Sequence, residues 1–193
     1  MIPKLLVFTS GMLEQTSRHR AIVLTLLQDS RVGLILREPT ASTALIQWLS
    51  KPIQDARACV ILHTKTPQFD SLLHAAPQCG VHLPADADPQ DWRHQIKGPL
   101  GQSTHHPSDA QKAFRKQVDY VTLSPVFASI SKPNDRRPTL PLNSLQVASK
   151  HGRVFALGGI TPKQVPNLTH TGVYGVAVLG SIFENGDPVD AFV

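Results

Sequence analysis

Apolar residues in this chain fall into short runs, and stretches with helix-like spacing lie between them. Leu5–Phe8 ends at Thr9-Ser10-Gly11, and a helical pattern follows over Ser17–Gln28. Val32–Leu36 ends at Arg37-Glu38-Pro39, ahead of a helix over Ala41–Leu49. Ala58–Leu62 ends at His63-Thr64-Lys65, and Phe69–Ala76 can form a short helix. Gly80–Leu83 ends at Pro84. Pro99–Thr104 is a weaker run, followed by a helix over Pro107–Gln117 with His106 or Ser108 near its start. Tyr120–Leu123 ends at Ser124-Pro125. The last two runs, Val154-Phe-Ala-Leu and Gly175-Val-Ala-Val, lead into Gly158-Gly159 and Leu179-Gly180.

These eight strand candidates are mostly continuous in hydrophobicity rather than alternating, and they are rich in Val, Leu and Ile. Strands of that kind are buried on both faces, as in a parallel sheet. Eight strand–helix repeats in 193 residues predict an α/β fold of the closed (β/α)8 or TIM-barrel type, one domain over residues 1–193 with lean helices. An open doubly wound sheet is the alternative, but no Gly-x-Gly-x-x-Gly follows the first strand. At the last two strands, bare backbone N–H groups beside helix starts predict phosphate cups at Gly158-Gly159 and Leu179-Gly180.

Composition narrows the function classes. The chain is 41% hydrophobic and 17% charged, in the range of folded globular proteins. Its net charge of +5 is scattered, with no basic run longer than Arg136-Arg137 and few aromatics. That argues for anionic metabolites rather than nucleic acid. No apolar run reaches membrane-span length, and the opening residues show no secretory pattern, so a cytoplasmic location is expected. Cys59 and Cys79 read as small buried residues, not a disulfide or a metal pair. The sequence leaves oligomeric state open, a homo-oligomer included. One segment breaks the rhythm: Phe127–Pro141 is polar and proline-rich, and carries Ser129, Ser131, Lys132, Arg136 and Arg137. Hydroxyls and cations grouped in one loop suit phosphate oxygens.

Several motifs then stand in a family order: Leu36-Arg37-Glu38, Gly80-Val81-His82-Leu83, Gly101-Gln-Ser103-Thr104-His105, Asp119-Tyr120-Val121, Ser124-Pro125-Val126-Phe127, Ser129-Ile-Ser131-Lys132-Pro133, Ala156–Ile160 and Gly175–Val178. Over nearly its whole length the chain resembles thiamine phosphate synthase and its relative, the thiazole tautomerase. The resemblance implies a (β/α)8 barrel that binds a pyrimidine diphosphate and a thiazole phosphate. It implies Arg37 as a diphosphate ligand, Ser103 near the pyrimidine, and Lys132 with Ser129 and Ser131 as the catalytic loop at the leaving group. Gly158, Gly159, Leu179 and Gly180 would hold the thiazole phosphate. Magnesium on carboxylates would share the charge of the diphosphate.

The chain also departs from that pattern. Ile35 stands for a glutamine and Pro39 for a lysine. The Asn-Asp pair after the third strand falls at His63-Thr64, so these two positions face the diphosphate without a carboxylate. The aspartate position after the fourth strand is Ala87, flanked by Asp86 and Asp88, which leaves Asp86 as the metal candidate. The tautomerase histidine before Val126-Phe127 is Pro125, which cannot carry a proton. Three readings therefore stand: a synthase with altered positions, a degenerate barrel that binds a phosphorylated ligand, or a tautomerase-like protein.

Overall fold

The computed structural model describes residues 1–128 and 137–193. Ser129, Ser131 and Lys132 lie outside the described residues. Eight parallel strands close into a barrel in sequence order: β1 (Leu5–Phe8), β2 (Val32–Leu36), β3 (Cys59–His63), β4 (Gly80–Leu83), β5 (Leu100–Thr104), β6 (Tyr120–Leu123), β7 (Val154–Leu157) and β8 (Gly175–Val178). β8 pairs back onto β1 through Leu5↔Val176 and Val7↔Val178. The open sheet is thereby excluded.

Strand period two assigns the faces. Leu6, Phe8, Ile35, Ile61, Tyr120 and Phe155 fill the barrel interior as one cluster. Their neighbours Leu5, Val7, Leu34, Leu62, Val81 and Val121 pack outward under the helices. Both faces are dry, which is why the runs read as continuous rather than alternating. Gly101 admits the interior packing: a Cβ there would lie 2.0 Å from the Tyr120 ring.

The helices are α1 (Ser17–Leu27), α2 (Thr43–Gln54), α3 (Phe69–Ala75), α4 (Gln90–Arg93), α5 (Pro107–Arg115), α6 (Leu142–Ser149), α7 (Val165–Leu168) and α8 (Gly180–Phe183). Thr16 and Ser42 cap α1 and α2, accepting from the N–H groups of His19 and Leu45. α2 runs past the expected end at Leu49 and through Pro52. Pro52 forfeits one bond in the last turn, and burying Ile53 (2% exposed) offsets that loss, being worth about 1.5–3 kcal/mol. α4 and α6 were not expected. α6 starts just past the proline-rich segment and buries Leu145 and Ala148. No described helix is long and apolar enough to cross a membrane. Cys59 and Cys79 are free thiols, and burial pushes the Cys79 thiol up to about 12.

Candidate functional site

Because all strands run one way, their C-terminal ends open onto a single mouth, the face that carries the active site in barrels of this kind. A cavity of about 390 Å³ sits there. Its wall comes from loop after loop: Ser10 after β1, Arg37 after β2, His63 and Lys65 at β3, Asp86 after β4, Ser103 and His105 at β5, Gly158 and Gly159 after β7, and Leu179 and Gly180 after β8.

Arg37 and Glu38 divide their work between cavity and scaffold. Arg37 donates through Nη1 to Ser10 Oγ at 2.8 Å, and its backbone N–H donates to Thr9 Oγ1 at 2.9 Å. Glu38 is fully buried. Its carboxylate accepts the backbone N–H groups of Gly11 at 3.2 Å and Leu13 at 3.1 Å. Burial raises its pKa, against the pull of the Thr9 hydroxyl and those two amides. The acid thus ties the β1–α1 loop to the end of β2 and holds Ser10 beside the guanidinium.

His63 ends β3 on the inward side and is 3% exposed. Its Nδ1 accepts the N–H of Lys65 at 3.1 Å, so the ring proton sits on Nε2. Burial first, and then the charges of Arg37 and Lys65, push its pKa down to about 4. At neutral pH it is an uncharged N–H donor in a cavity wall that also carries Arg37 and Lys65. Under the cavity, His82 is fully buried and bonds Tyr120 Oη through Nδ1 and Ser103 Oγ through Nε2, each at 2.9 Å. Burial and His63 keep His82 neutral, well below its ordinary range. In either tautomer one hydroxyl donates to it and the other accepts, so the oxygen of Ser103 is fixed at the floor of the cavity. His105 donates from Nδ1 to the carbonyl of Ser124 at 3.0 Å. Arg137 Nη1 lies against the same ring, 3.3 Å from Nδ1 and 3.5 Å from Nε2.

The glycine ends are built by necessity. Gly158 and Gly159 have φ of +102° and +60°, and a Cβ on Gly159 would lie 2.2 Å from the carbonyl oxygen of Ala128. Only glycine fits that pairing of a left-handed backbone with so close an approach.

Of the residues singled out from sequence, Arg37, His63, Asp86, Ser103, Gly158, Gly159, Leu179 and Gly180 all line the cavity. Thr64 is not among the lining residues; Lys65, one position on, is. His82 is structural, with both ring nitrogens taken by Tyr120 and Ser103. Ser10, Lys65 and the buried role of Glu38 were missed by sequence reasoning. Lys65 and Ser10 each stand two residues beyond a strand end, a spacing that could have drawn notice to them.

A magnesium ion requires oxygen ligands. Among the described residues the carboxylates on the cavity wall are Asp86 and Glu184, which follow β4 and β8, on opposite sides of an eight-stranded barrel. Asp88 is taken by Lys116 Nζ at 2.7 Å and by the N–H of Gln90. No three His, Cys, Asp or Glu side chains come together as a metal site among the described residues. Among the described residues the donor set, with Arg37 and Lys65 on the wall beside His63, suits a bound anion and does not fit a divalent cation.

Comparison with known proteins follows the same line. The family model for thiamine monophosphate synthase matches residues 6–182. The thiamine-phosphate synthase of Chloroflexus aurantiacus is 27% identical over 189 residues, covering 95% of this chain and 87% of that protein. The thiamine-phosphate synthase of a Synechococcus species is 37% identical over 117 residues, covering 58% of this chain. That match spans only 33% of the Synechococcus protein's own length. Among solved structures, the thiamine phosphate pyrophosphorylase from Pyrococcus furiosus superposes with a TM-score of 0.71 at 20% identity, over 93% of this chain and 87% of that one. At that identity the superposition bears on the fold alone.

Proposed function

The chain belongs to the thiamine monophosphate synthase family, and on that premise we propose that it is a cytoplasmic transferase that joins a hydroxymethylpyrimidine diphosphate to a thiazole phosphate. The carbon–oxygen bond to the diphosphate breaks, and its electron pair leaves on pyrophosphate. The lone pair of the thiazole nitrogen then forms the new carbon–nitrogen bond. Charge develops on the leaving pyrophosphate, so positioning and electrostatic stabilisation are the main demands on the protein.

The observation that carries this reading is the convergence of Arg37, Ser103, Gly158–Gly159 and Leu179–Gly180 on one cavity, within a family match that spans nearly the whole chain. Arg37, braced by Ser10, would take the diphosphate. Ser103, fixed by His82, would meet the pyrimidine. The backbone at Gly159 and Gly180 would take the thiazole phosphate. Ser129, Ser131 and Lys132 would add hydroxyls and a cation at the leaving group, a role that rests on the resemblance. The test is direct: purified protein with both substrates, with and without magnesium, assayed for thiamine phosphate and pyrophosphate. No product at high enzyme concentration would sink the proposal.

A second reading is favoured by Ile35, Pro39, Thr64 and Ala87, all departures from the family pattern. It is a barrel that binds a phosphorylated ligand without turnover. Thermal stabilisation by thiazole phosphate with no product formed would select it. The tautomerase reading lacks its histidine, since that position is Pro125.

A further inference from the structure

We infer that the mouth between β2 and β3 is a metal-free diphosphate site, in which Lys65 supplies the positive charge that a divalent cation would otherwise bring. The inference rests on the proposed condensation for the identity of the anion, and on the cavity itself for the rest. Arg37 follows the last residue of β2, and Lys65 follows the last residue of β3 by two. Those strands are hydrogen-bonded neighbours, about 4.8 Å apart, so their loops share one stretch of rim. Both residues line the cavity.

Arg37, His63 and Lys65 line the same cavity, and both charges act on the His63 ring. His63 Nε2–H adds a neutral donor there, since Nδ1 is occupied by the Lys65 amide. Ser10 aligns the guanidinium. Among the described residues the carboxylates on the cavity wall are Asp86, after β4, and Glu184, across the barrel. Asp88 is held by Lys116, and Glu38 is turned down into the scaffold by Gly11 and Leu13. Two cations and an N–H against one nearby carboxylate favour a polyanion with several acceptor oxygens over a metal ion.

The test is calorimetric titration of the full chain with inorganic pyrophosphate in EDTA, then with magnesium, and with inorganic phosphate for comparison. Pyrophosphate is expected to bind without metal and more tightly than phosphate, and magnesium is expected to weaken it by complexing the ligand. Lys65→Gln and Arg37→Gln are each expected to weaken binding about tenfold or more, the loss of one charge-assisted contact. Lys65→Arg should retain it. Lys51→Gln, at the far end of α2 and paired there with Asp55, should change nothing. Lys65 is exposed, so its replacement spares the core, and an unchanged melting curve checks this. Binding only when magnesium is present, no binding in either condition, or unchanged affinity in Lys65→Gln overturns the inference. Turnover that requires magnesium would overturn it and leave the condensation standing. Metal-free pyrophosphate binding with no turnover would support it and remove the condensation.

Discussion

Lowering the pH should strip stability from this barrel through its two buried imidazoles, and the share of His63 can be worked out. Its pKa in the folded protein is about 4, against an ordinary 6.5. Between those values the unfolded chain binds a proton at this ring and the folded chain does not. Stability therefore rises with pH across that window, and is lost as pH falls from 6.5 toward about 4. At about 1.4 kcal/mol for each pH unit separating the two states, the loss is ~3 kcal/mol. That is a large share of the stability of an ordinary domain, about 5–15 kcal/mol. The assay is urea denaturation of the wild type and of His63→Gln from pH 7.5 to 4. The substituted glutamine side chain offers a carbonyl oxygen to the Lys65 amide and cannot titrate. Glu38 is present in both proteins and its titration largely cancels in the comparison; for His82 burial outweighs the influence of His63, so most of its titration cancels as well. The wild type should lose ~3 kcal/mol more than the variant over the acid limb. Parallel curves would refute the claim that burial, with the charges of Arg37 and Lys65, holds this imidazole neutral.

Three further outcomes follow from the packing around the mouth. Glu38→Ala leaves the amide of Leu13 without its acceptor, while Gly11 keeps the Arg37 carbonyl, and should cost about 1–3 kcal/mol, with faster proteolysis in the β1–α1 loop; Glu38→Gln, which keeps an oxygen there, should cost less. Tyr120→Phe removes the hydroxyl on His82 Nδ1 and should lower stability by about 1–3 kcal/mol in thermal melts. Gly159→Ala forces a Cβ onto the Ala128 carbonyl at a left-handed φ; it should cost about 1–3 kcal/mol and abolish thermal stabilisation by thiazole phosphate.

The strands were legible because each is dry on both faces, so its apolar run stands out against polar loops. β1, β2, β4 and β6 have the bounds the runs predict. The helices were harder. Pro52 marks an end in the sequence, but the burial of Ile53 carries α2 beyond it. α6 is hidden behind a proline-rich approach. In the site, strand ends pointed to Arg37, Ser103 and the glycines, because a parallel barrel sends every strand end to one mouth. Period two stops where the chain leaves the sheet, so nothing local distinguishes Thr64 from Lys65. The choice between Asp86 and Asp88 is made by Lys116, 28 residues further along the chain. Glu38 reads as a surface charge until its two amide partners, 25 and 27 residues away, come into view.

The stack of Gly101, Tyr120, His82 and Phe155 beneath the cavity divides the molecule into two storeys with separate obligations. Everything below that deck answers to folding, and a single methyl on Gly101 would be felt there. The charged rim above it, at Arg37, Lys65 and Asp86, makes little contact with the deck apart from His63. Evolution can therefore rewrite the rim one charge at a time without unsettling the barrel, which is how a lineage can change its electrostatics while its architecture stays recognisable.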